Sequence, residues 1–576
     1  MQNQSYSDTS DRGLWQSNKE SQPKKFYKDV AEGEDKGVSF AYECWRALID
    51  GVFGGLTFMI LIVYIFSNTL MAGHLHNSEV YVEAFGIAGV YGNIFSFFVW
   101  GFNSGFIITA SRCFGLGDFF SMHRFFKKQV VFIFGIAACF YLYLCVIYLL
   151  LPKFYPEDPN LLYWTKAYMV CAMPVNFCAF YMDTFRELYI ANEQYSDALL
   201  VETFSMICSF FLCYFLAFTL NWDFYGLIVG MIVTQSACVG LYILMWIFLG
   251  KWKTYWIESK IKALAAQAGV EAEDGNYKVP LLKAMSGKGS NGPETDGKHS
   301  EVVSQIHDQS DNEEAVKRVR DSVKKSKEGD NDKVATKQEE KVDLNSNWGY
   351  FKFNIVFSFT MFLDGFWWQM DAVLCSFLFP GPSVAAQTSL TQFLNVITLF
   401  SYGYTMTLSS KISQYLVILD VKRAKRIFWI ITVQMAIFGV LLGSPFIIFP
   451  KLIAPLVIDS PDTQVVLVSI MRIFGASVPF MFLSAVSFST NRSINNQNKY
   501  FICQLVCNYG VHFGSFIWFK YSLGMGVEAL WYAYLASQVS ITVVGFLMVF
   551  FTNWDKEAEK ICEQMEKGEG PAAGGH

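Results

Sequence analysis

The sequence predicts an all-α polytopic membrane protein whose twelve transmembrane helices form two pseudo-symmetric six-helix lobes. Three observations support this fold class. The 576 residues are 53% hydrophobic and 16% charged, a balance typical of chains that expose much apolar surface to lipid. Twelve apolar runs are long enough to cross the roughly 30 Å of hydrocarbon in a bilayer. The runs of the second half also echo those of the first.

The twelve runs, here named spans 1 to 12, divide six and six. Residues 46–250 form the predicted N-lobe, with spans 1 to 6 near 47–72, 84–110, 128–151, 163–189, 198–220 and 224–249. Residues 349–552 form the predicted C-lobe, with spans 7 to 12 near 354–379, 385–410, 427–450, 464–490, 499–520 and 526–552. The polar stretch 1–45 has no signal-peptide pattern, so we expect span 1 to act as an uncleaved anchor.

Three polar segments flank the lobes: the N-terminal tail 1–45, a linker at 251–348 and the C-terminal tail 553–576. The linker carries nearly equal numbers of basic and acidic residues, and Tyr277 is its lone aromatic between positions 257 and 347. Such a composition cannot bury a core, so we expect disorder. The first twelve residues of the linker fit either a basic amphipathic helix on the membrane surface or a continuation of span 6.

Basic residues predict the orientation of the chain, because cytoplasmic loops are enriched in lysine and arginine. The prediction compares the short loops on the two sides of the membrane. The loops after spans 2 and 8 are strongly basic, with Arg112, Arg124, Lys127 and Lys128 in the first and Lys411, Lys422, Arg423, Lys425 and Arg426 in the second. The loops on the opposite side hold few cations. Both termini and the linker are therefore predicted to be cytoplasmic.

The two halves share ordered motifs. In spans 6 and 12, a glutamine follows a small residue nine positions further along the chain, at Gly226 and Gln235 and at Ala529 and Gln538. Spans 2 and 8 both run through small and hydroxyl residues into a cation, Thr109-Ala-Ser-Arg112 and Leu408-Ser-Ser-Lys411. Two lobes of like orientation are typical of parallel repeats about an axis along the membrane normal, a common transporter architecture.

Span 7 carries two carboxylates, Asp364 and Asp371, in an otherwise apolar run. Ionisable groups at membrane depth are costly and usually mark an ion or substrate path. Seven residues is about two helical turns, so both side chains are expected on one helix face, about 10 Å apart. Structural pairing with a neighbouring helix is the alternative for each. Known phosphate-binding, nucleophile and metal motifs are missing from the sequence, so neither catalysis nor a cofactor is expected.

Several motifs resemble those of the multidrug and toxic compound extrusion (MATE) family, whose members have two six-helix lobes around a central cleft. They occur in the family's order at Met71-Ala-Gly-His-Leu75, at the two acids and two tryptophans of span 7, from Gly403 to Lys411 and on to Arg423-Ala424, and at Arg492-Ser-Ile-Asn-Asn-Gln497. The resemblance implies a secondary transporter that needs no cofactor besides a coupling proton or sodium ion.

The chain departs from the family at several acids. The family's second span-7 acid falls on Asp371, but the acid expected before the tryptophans is Phe366. Acids that the family often places in spans 8 and 10 correspond to Gln392 and Met481, and span 1 has no carboxylate in its core. The resemblance therefore assigns ion coupling to Asp371, with Asp364 as an approximate substitute for the missing acid.

The remaining candidate residues follow from chemistry and position. An aromatic face attracts organic cations, which makes Trp367 and Trp368 substrate-binding candidates together with the span-8 residues Gln387, Gln392 and Asn395. In span 4, Asp183, Arg186 and Glu187 lie within helical pairing distance and predict either a gating ion pair or a structural pair at the membrane interface. His512 in span 11 fits either a proton shuttle or a packing residue. Pro174 and Pro479 predict kinks in spans 4 and 10.

These observations predict an antiporter that exports organic cations, xenobiotics or amphipathic metabolites in exchange for protons or, as the weaker choice, sodium. A lipid-linked glycan flippase of related fold and a non-transporting scaffold or receptor acting through the linker are the alternatives. Expected partners are the bilayer and a small substrate, with no nucleic acid, and the protein is expected to be a monomer. The plasma membrane and an acidic organelle membrane both fit the sequence.

Overall fold

The computed structural model describes residues 40–154, 158–248, 344, 346–379, 381–458 and 460–566. Every regular element in these ranges is helical. Contacts divide the chain after Ile49, and the second unit, from Asp50 onward, carries the helices of both lobes. The N-terminal tail before residue 40 and nearly all of the predicted linker, including its proposed amphipathic helix, lie outside the described residues.

Six long helices form the N-lobe. In chain order they are span 1 at Phe40–Gly73, span 2 at Ser78–Leu116, span 3 at Phe119–Phe154, span 4 at Pro159–Ala191, span 5 at Tyr195–Tyr214 and span 6 at Asp223–Phe248. Span 5 continues as a π-helical turn at Phe215–Thr219.

The C-lobe repeats this arrangement. Its helices are span 7 at Asn347–Leu378, span 8 at Gly381–Val417, span 9 at Val421–Ile448, span 10 at Pro461–Ser493, span 11 from Gln497 to Ser522 and span 12 at Glu528–Phe551. Span 11 contains two π-helical segments, Leu505–Val511 and Trp518–Ser522. The second occupies the same end of its span as the π turn of span 5. Two further helices are the short Pro450–Val457 and the C-terminal helix Trp554–Glu566.

Local sequence signals set where several helices begin. Asp158 accepts hydrogen bonds from the first free backbone N–H groups of span 4, and Pro159 opens the helix. Ser346 caps span 7 and Asp420 caps span 9 in the same way. Side-chain oxygens at these positions satisfy donors that have no partner within the helix, and each cap typically contributes about 1 kcal/mol.

The twelve predicted spans are confirmed, and the helices extend beyond most of the predicted apolar limits. By length and composition alone, seven described helices are apolar enough to cross a membrane, among them spans 1, 3 and 9. Spans 2, 4, 7 and 8 are at least as long but carry more polar side chains. Many of these polar groups are buried between helices, where they avoid contact with lipid.

Two cations that the sequence places in loops belong instead to helices. Arg112 lies within span 2 and is 0% exposed, and Lys411 lies within span 8 and is 3% exposed. The predicted spans ended too early because hydropathy falls at these cations, although the helices continue for several residues. Both cations are therefore internal groups and weaken, without reversing, the charge asymmetry used to predict orientation.

Close helix crossings join the two lobes. Span 1 crosses span 8 at Gly54, where an added Cβ would lie 2.7 Å from Thr407 Oγ1 and 2.8 Å from the carbonyl oxygen of Gly403. Span 2 crosses span 7 in the same manner at Gly101, against the backbone of Phe357. Small residues let membrane helices approach this closely. The lobes therefore meet through glycines on the half of each span that is predicted to be cytoplasmic.

Part of the C-terminal tail is helical. Its helix Trp554–Glu566 buries an apolar stripe formed by Trp554, Ala558, Ile561 and Met565. The stripe recurs every three to four residues, as expected for one face of an amphipathic helix. This helix contacts spans 8 and 9, so the C-lobe includes about half of the predicted tail.

We expect the Gly54→Ala variant to be destabilised, because the new methyl group meets the backbone of span 8 and forces spans 1 and 8 apart. Overpacking of this kind typically costs about 1–3 kcal/mol. Thermal unfolding in detergent, followed by intrinsic fluorescence, measures the change. Gly135→Ala is the matched control, since an added Cβ at Gly135 meets nothing within 4 Å. Equal melting temperatures for the two variants would contradict the close crossing.

Candidate functional site

The candidate site lies in the C-lobe, where span 7 faces spans 11 and 12. Asp371 is 4% exposed, and its Oδ1 lies 2.9 Å from Nε2 of His512. His512 itself is fully buried. A carboxylate removed from water is stable only with a partner that donates hydrogen bonds or carries positive charge. The imidazole is that partner for Asp371, and it can do either.

Asp364 is held by neutral amides. Its Oδ1 accepts hydrogen bonds from Gln504 Nε2 at 2.8 Å and from Asn508 Nδ2 at 3.0 Å. Asn508 in turn accepts a hydrogen bond from Ser537 Oγ of span 12 at 3.0 Å. Three helices are thus tied together through one carboxylate. The two aspartates share a face of span 7 as predicted, and both meet span 11.

The span-11 partners recur every four residues, at Gln504, Asn508 and His512. In a regular α-helix, steps of four drift steadily around the axis. The intervening segment Leu505–Val511 is π-helical, and its i→i+5 bonds widen the helix. This change in winding keeps the three side chains toward span 7. π-helical turns inside α-helices often occur at functional sites.

Trp367 lies between the two aspartates and is fully buried. Its ring meets His512 edge-on, with centroids 5.0 Å apart, and is roughly parallel to Tyr534 of span 12 at 5.6 Å. The ring therefore packs within the lobe in this conformation. The side chain of Trp368 lies outside the described residues. Phe366, at the position of the missing family acid, is parallel to Phe362.

The span-8 candidates have different surroundings. Gln387 is buried and accepts a 2.6 Å hydrogen bond from the Trp531 indole of span 12. Gln392 is exposed and Asn395 is half-buried. The hydrogen-bond partners of the aspartates come from span 11, so a substrate-binding role for these three residues stays a prediction. Met481, at another position of a family acid, contacts the Thr398 hydroxyl through its sulfur.

Two copies of one repeat account for both lobes. The family profile described as MatE matches residues 55–215 and again residues 357–517, which together make up more than half of the chain. The chain belongs to the MATE family. The likeness suggested by the sequence motifs is therefore confirmed, and so is the two-lobe architecture that the internal echoes predicted. MATE proteins are membrane transporters, and this chain is accordingly a multi-pass integral membrane protein.

Solved MATE structures share the fold over most of the chain. The eukaryotic MATE transporter AtDTX14 aligns with a TM-score of 0.69 and 14% identity, covering 91% of this chain and 99% of its own. A mutant of the Vibrio cholerae MATE transporter VcmN gives 0.64 and 11%, covering 90% and 100%. A MOP superfamily transporter from Pyrococcus furiosus gives 0.63 and 12%, covering 91% and 97%. Such identities establish the fold alone. Among curated proteins, no sequence matches this chain.

The acids of span 4 occupy a separate cluster in the N-lobe. Asp183, Arg186 and Glu187 are all buried, and Arg186 pairs directly with Asp183. Arg186 Nη1 also lies 3.7 Å from Glu202 Oε1 of span 5, which accepts a hydrogen bond from the Tyr242 hydroxyl of span 6. The ion pair is thus internal to the lobe. A gating role for it stays a prediction.

Polar contacts close the seam between the lobes on the predicted cytoplasmic side. Lys411 of span 8 lies 2.7 Å from Asp50 of span 1 and 3.7 Å from Glu193. Arg112 of span 2 donates a hydrogen bond to Asn495, which follows span 10, at 2.9 Å. Nearby, spans 2 and 8 join through the hydroxyls of Ser111 and Ser410 at 2.9 Å. The lobes are held together here by charges and hydrogen bonds as well as by glycine crossings.

Sequence reasoning missed most of the residues that surround the two aspartates. The four-residue recurrence of Gln504, Asn508 and His512 in an apolar run was the signal that could have revealed one face of span 11. Its π segment leaves no comparable trace in the sequence. Within the described ranges, no group of three or more His, Cys, Asp or Glu residues is placed to hold a metal ion.

We expect Arg186→Met to unfold the N-lobe more readily, because it leaves Asp183 and Glu202 buried without their shared cation. Removing one partner of a buried ion pair typically costs about 3–5 kcal/mol. The midpoint of thermal unfolding in detergent measures the loss. Arg472→Met, which removes an exposed arginine of span 10, is the control. A variant at Arg186 as stable as that control would show that the cluster does not depend on the guanidinium.

Proposed function

We propose that this MATE protein is a secondary active antiporter that exports organic cations, xenobiotics or amphipathic metabolites in exchange for protons. Asp371 is the principal coupling residue, and Asp364 assists it. The observation that carries the proposal is the placement of Asp371, a buried carboxylate of a membrane helix whose hydrogen-bond partner is a histidine.

The partners of the two aspartates support binding of a cation. The described hydrogen-bond partners of the two aspartates are two amides and an imidazole, from Gln504, Asn508 and His512. A lysine or arginine in their place would neutralise the carboxylate permanently. The N-lobe differs, because Arg186 lies against Asp183 and Glu202. A cation entering the C-lobe therefore meets carboxylates whose charge is not already cancelled by a fixed positive charge. Proton and substrate can compete for the same negative charge, which is the requirement for exchange.

Alternating access requires the two lobes to separate on one side at a time. The contacts that join them here, Lys411 with Asp50 and Arg112 with Asn495, lie at the span ends predicted to be cytoplasmic. We assign these contacts to the closed inner gate of an outward-facing state. When the lobes separate on the cytoplasmic side, water reaches the groups of both contacts. Hydration of these groups then offsets part of the free energy lost when the contacts break.

The basic loop residues after spans 2 and 8 support cytoplasmic termini, even with Arg112 and Lys411 taken as internal groups. Lys422, Lys425 and Arg426 are exposed at the start of span 9. Export with this orientation moves substrate away from the cytoplasm, either across the plasma membrane or into an acidic organelle. Protons move in the opposite direction, and a monomer with its two lobes suffices for the cycle.

We expect Asp371→Asn to abolish exchange driven by a pH gradient, because the neutral amide removes the negative charge for which a proton and a cationic substrate compete. The measurement is accumulation of ethidium in proteoliposomes with an acidic interior, and we expect the rate to fall by at least about tenfold. Asp462→Asn, at the exposed start of span 10, should retain wild-type exchange. Undiminished accumulation by Asp371→Asn would refute proton coupling through this residue.

A separately imposed sodium gradient distinguishes the coupling ion. With equal pH on both sides, we expect wild-type protein to give no ethidium accumulation when sodium alone is graded. Accumulation under that condition would establish sodium coupling instead. Retention of all wild-type phenotypes by a variant with both aspartates neutralised, together with their loss on removal of the linker, would favour the scaffold hypothesis.

We expect disulfide formation in Ser111→Cys/Ser410→Cys to stop exchange, because it locks spans 2 and 8 at the inner gate. The two hydroxyls already lie 2.9 Å apart, close enough for their sulfur equivalents to approach after small shifts. Ethidium accumulation is measured before and after oxidation, and reduction should restore it. Each single-cysteine variant serves as a control. Full exchange by the cross-linked protein would contradict opening at this seam.

A further inference from the structure

Spans 7, 11 and 12 surround one histidine, and the function proposed above assigns it no part in carrying the proton. His512 is fully buried, and its Nε2 contacts Asp371 Oδ1 at 2.9 Å. Its other ring nitrogen, Nδ1, is also buried and makes no hydrogen bond to any described residue. A buried polar atom without a partner needs a physical explanation. The imidazole is the side chain whose charge changes between about pH 5 and 8 in ordinary surroundings.

The contact with Asp371 determines where a proton can be added. An ionised carboxylate only accepts hydrogen bonds, so Nε2 must carry the hydrogen that Asp371 receives. Nδ1 is then the atom that gains or loses a proton while the contact persists. The pair is neutral overall when both nitrogens carry hydrogen, and it has a charge of −1 when Nδ1 is bare. One proton on Nδ1 thus switches the site between rejecting and attracting a cation.

The groups around the pair of Asp371 and His512 are aromatic rings or side chains that are neutral near pH 7. Trp367 of span 7 and Phe513 of span 11 each present a ring about 5.0 Å from the imidazole, and an aromatic ring can stabilise a neighbouring cation. Among the described residues, the Tyr534 phenol of span 12 and the Cys375 thiol of span 7 also interact with Asp371. Both are neutral in their ordinary forms near pH 7.

We propose that His512 carries the proton that a cationic substrate displaces, so that the coupling unit of the C-lobe is the pair Asp371 and His512. The proposal rests on the antiport function proposed above and assigns its proton to a specific atom. In the loaded state, Nδ1 holds the proton and the imidazolium neutralises Asp371. Approach of a monovalent organic cation to the carboxylate expels that proton to water, and the neutral imidazole keeps its Nε2 hydrogen bond to Asp371.

The direct test is nuclear magnetic resonance of the full chain with ¹³C-labelled histidines, in detergent or nanodiscs. The His512 resonance is assigned as the one missing from His512→Gln. We expect ethidium, added at constant pH, to move the resonance toward the position of the neutral imidazole, and we expect Asp371→Asn to change the pH dependence of its chemical shift. A resonance that does not change with pH, or that responds to neither Asp371→Asn nor ethidium, would overturn the proposal.

A transport readout separates coupling from packing. The glutamine of His512→Gln can still donate a hydrogen bond to Asp371 but cannot take up a proton. We expect accumulation driven by the pH gradient to fall by about tenfold or more, whereas ethidium equilibration without a gradient changes by less than about threefold. Ser515→Ala, one turn away on the same helix, is the control and should behave like wild type in both assays.

The possible outcomes separate the role of His512 from the antiport function on which it rests. If Asp371→Asn loses gradient-driven exchange but His512→Gln keeps the wild-type rate at every pH, the role assigned to His512 is wrong and Asp371 alone carries the proton. If both variants retain gradient-driven exchange, neither residue carries the coupled proton, and both the inference and the proposed coupling role of Asp371 are wrong. A uniform loss in both assays for His512→Gln, together with a silent resonance in the wild-type protein, assigns the histidine a structural role only.

Discussion

Pairing of span 7 with span 11 is the constraint on which the candidate site depends. Two carboxylates, the buried Asp371 and the half-buried Asp364, lie within one membrane helix, and such groups are tolerated only when hydrogen-bond donors lie at the same depth. Gln504, Asn508 and His512 supply those donors from one side of span 11. The π-helical segment between them adjusts the winding of that helix. Span 11 must therefore lie where its three polar side chains reach the two aspartates of span 7.

The two lobes solve the problem of buried charge in different ways. In the N-lobe, a guanidinium lies against two carboxylates, and the cluster is stabilised by fixed opposite charges. In the C-lobe, the carboxylates meet amides and an imidazole. Replacement of a fixed cation by a titratable one lowers stability when the site is unprotonated, but it makes the charge of the site depend on proton supply. This difference makes the C-lobe the better candidate for coupling, although both lobes derive from one repeat.

The fold could be read from the sequence because it follows from properties that hydropathy records. Apolar runs of membrane length predicted all twelve spans, and the echoes between Gln235 and Gln538 indicated the repeat. Hydropathy failed at Arg112 and Lys411, where a buried ion pair or hydrogen bond compensates a charge inside a helix. Such compensation comes from residues distant in the chain, such as Asp50 for Lys411, and short-range patterns cannot reveal it. The partners of Asp364, Gln504 and Asn508, are likewise distant in the chain and could not be identified from short-range patterns.

In the proposed mechanism, binding of a cation to the C-lobe displaces a proton held at Asp371 and its partner His512. The most direct measurement is proton release on addition of ethidium to purified protein in a weakly buffered solution, followed with a pH-sensitive dye. We expect the wild-type protein to release about one proton for each ethidium bound, and Asp371→Asn to release none. Binding of ethidium by the wild-type protein without any release of protons would contradict the claim.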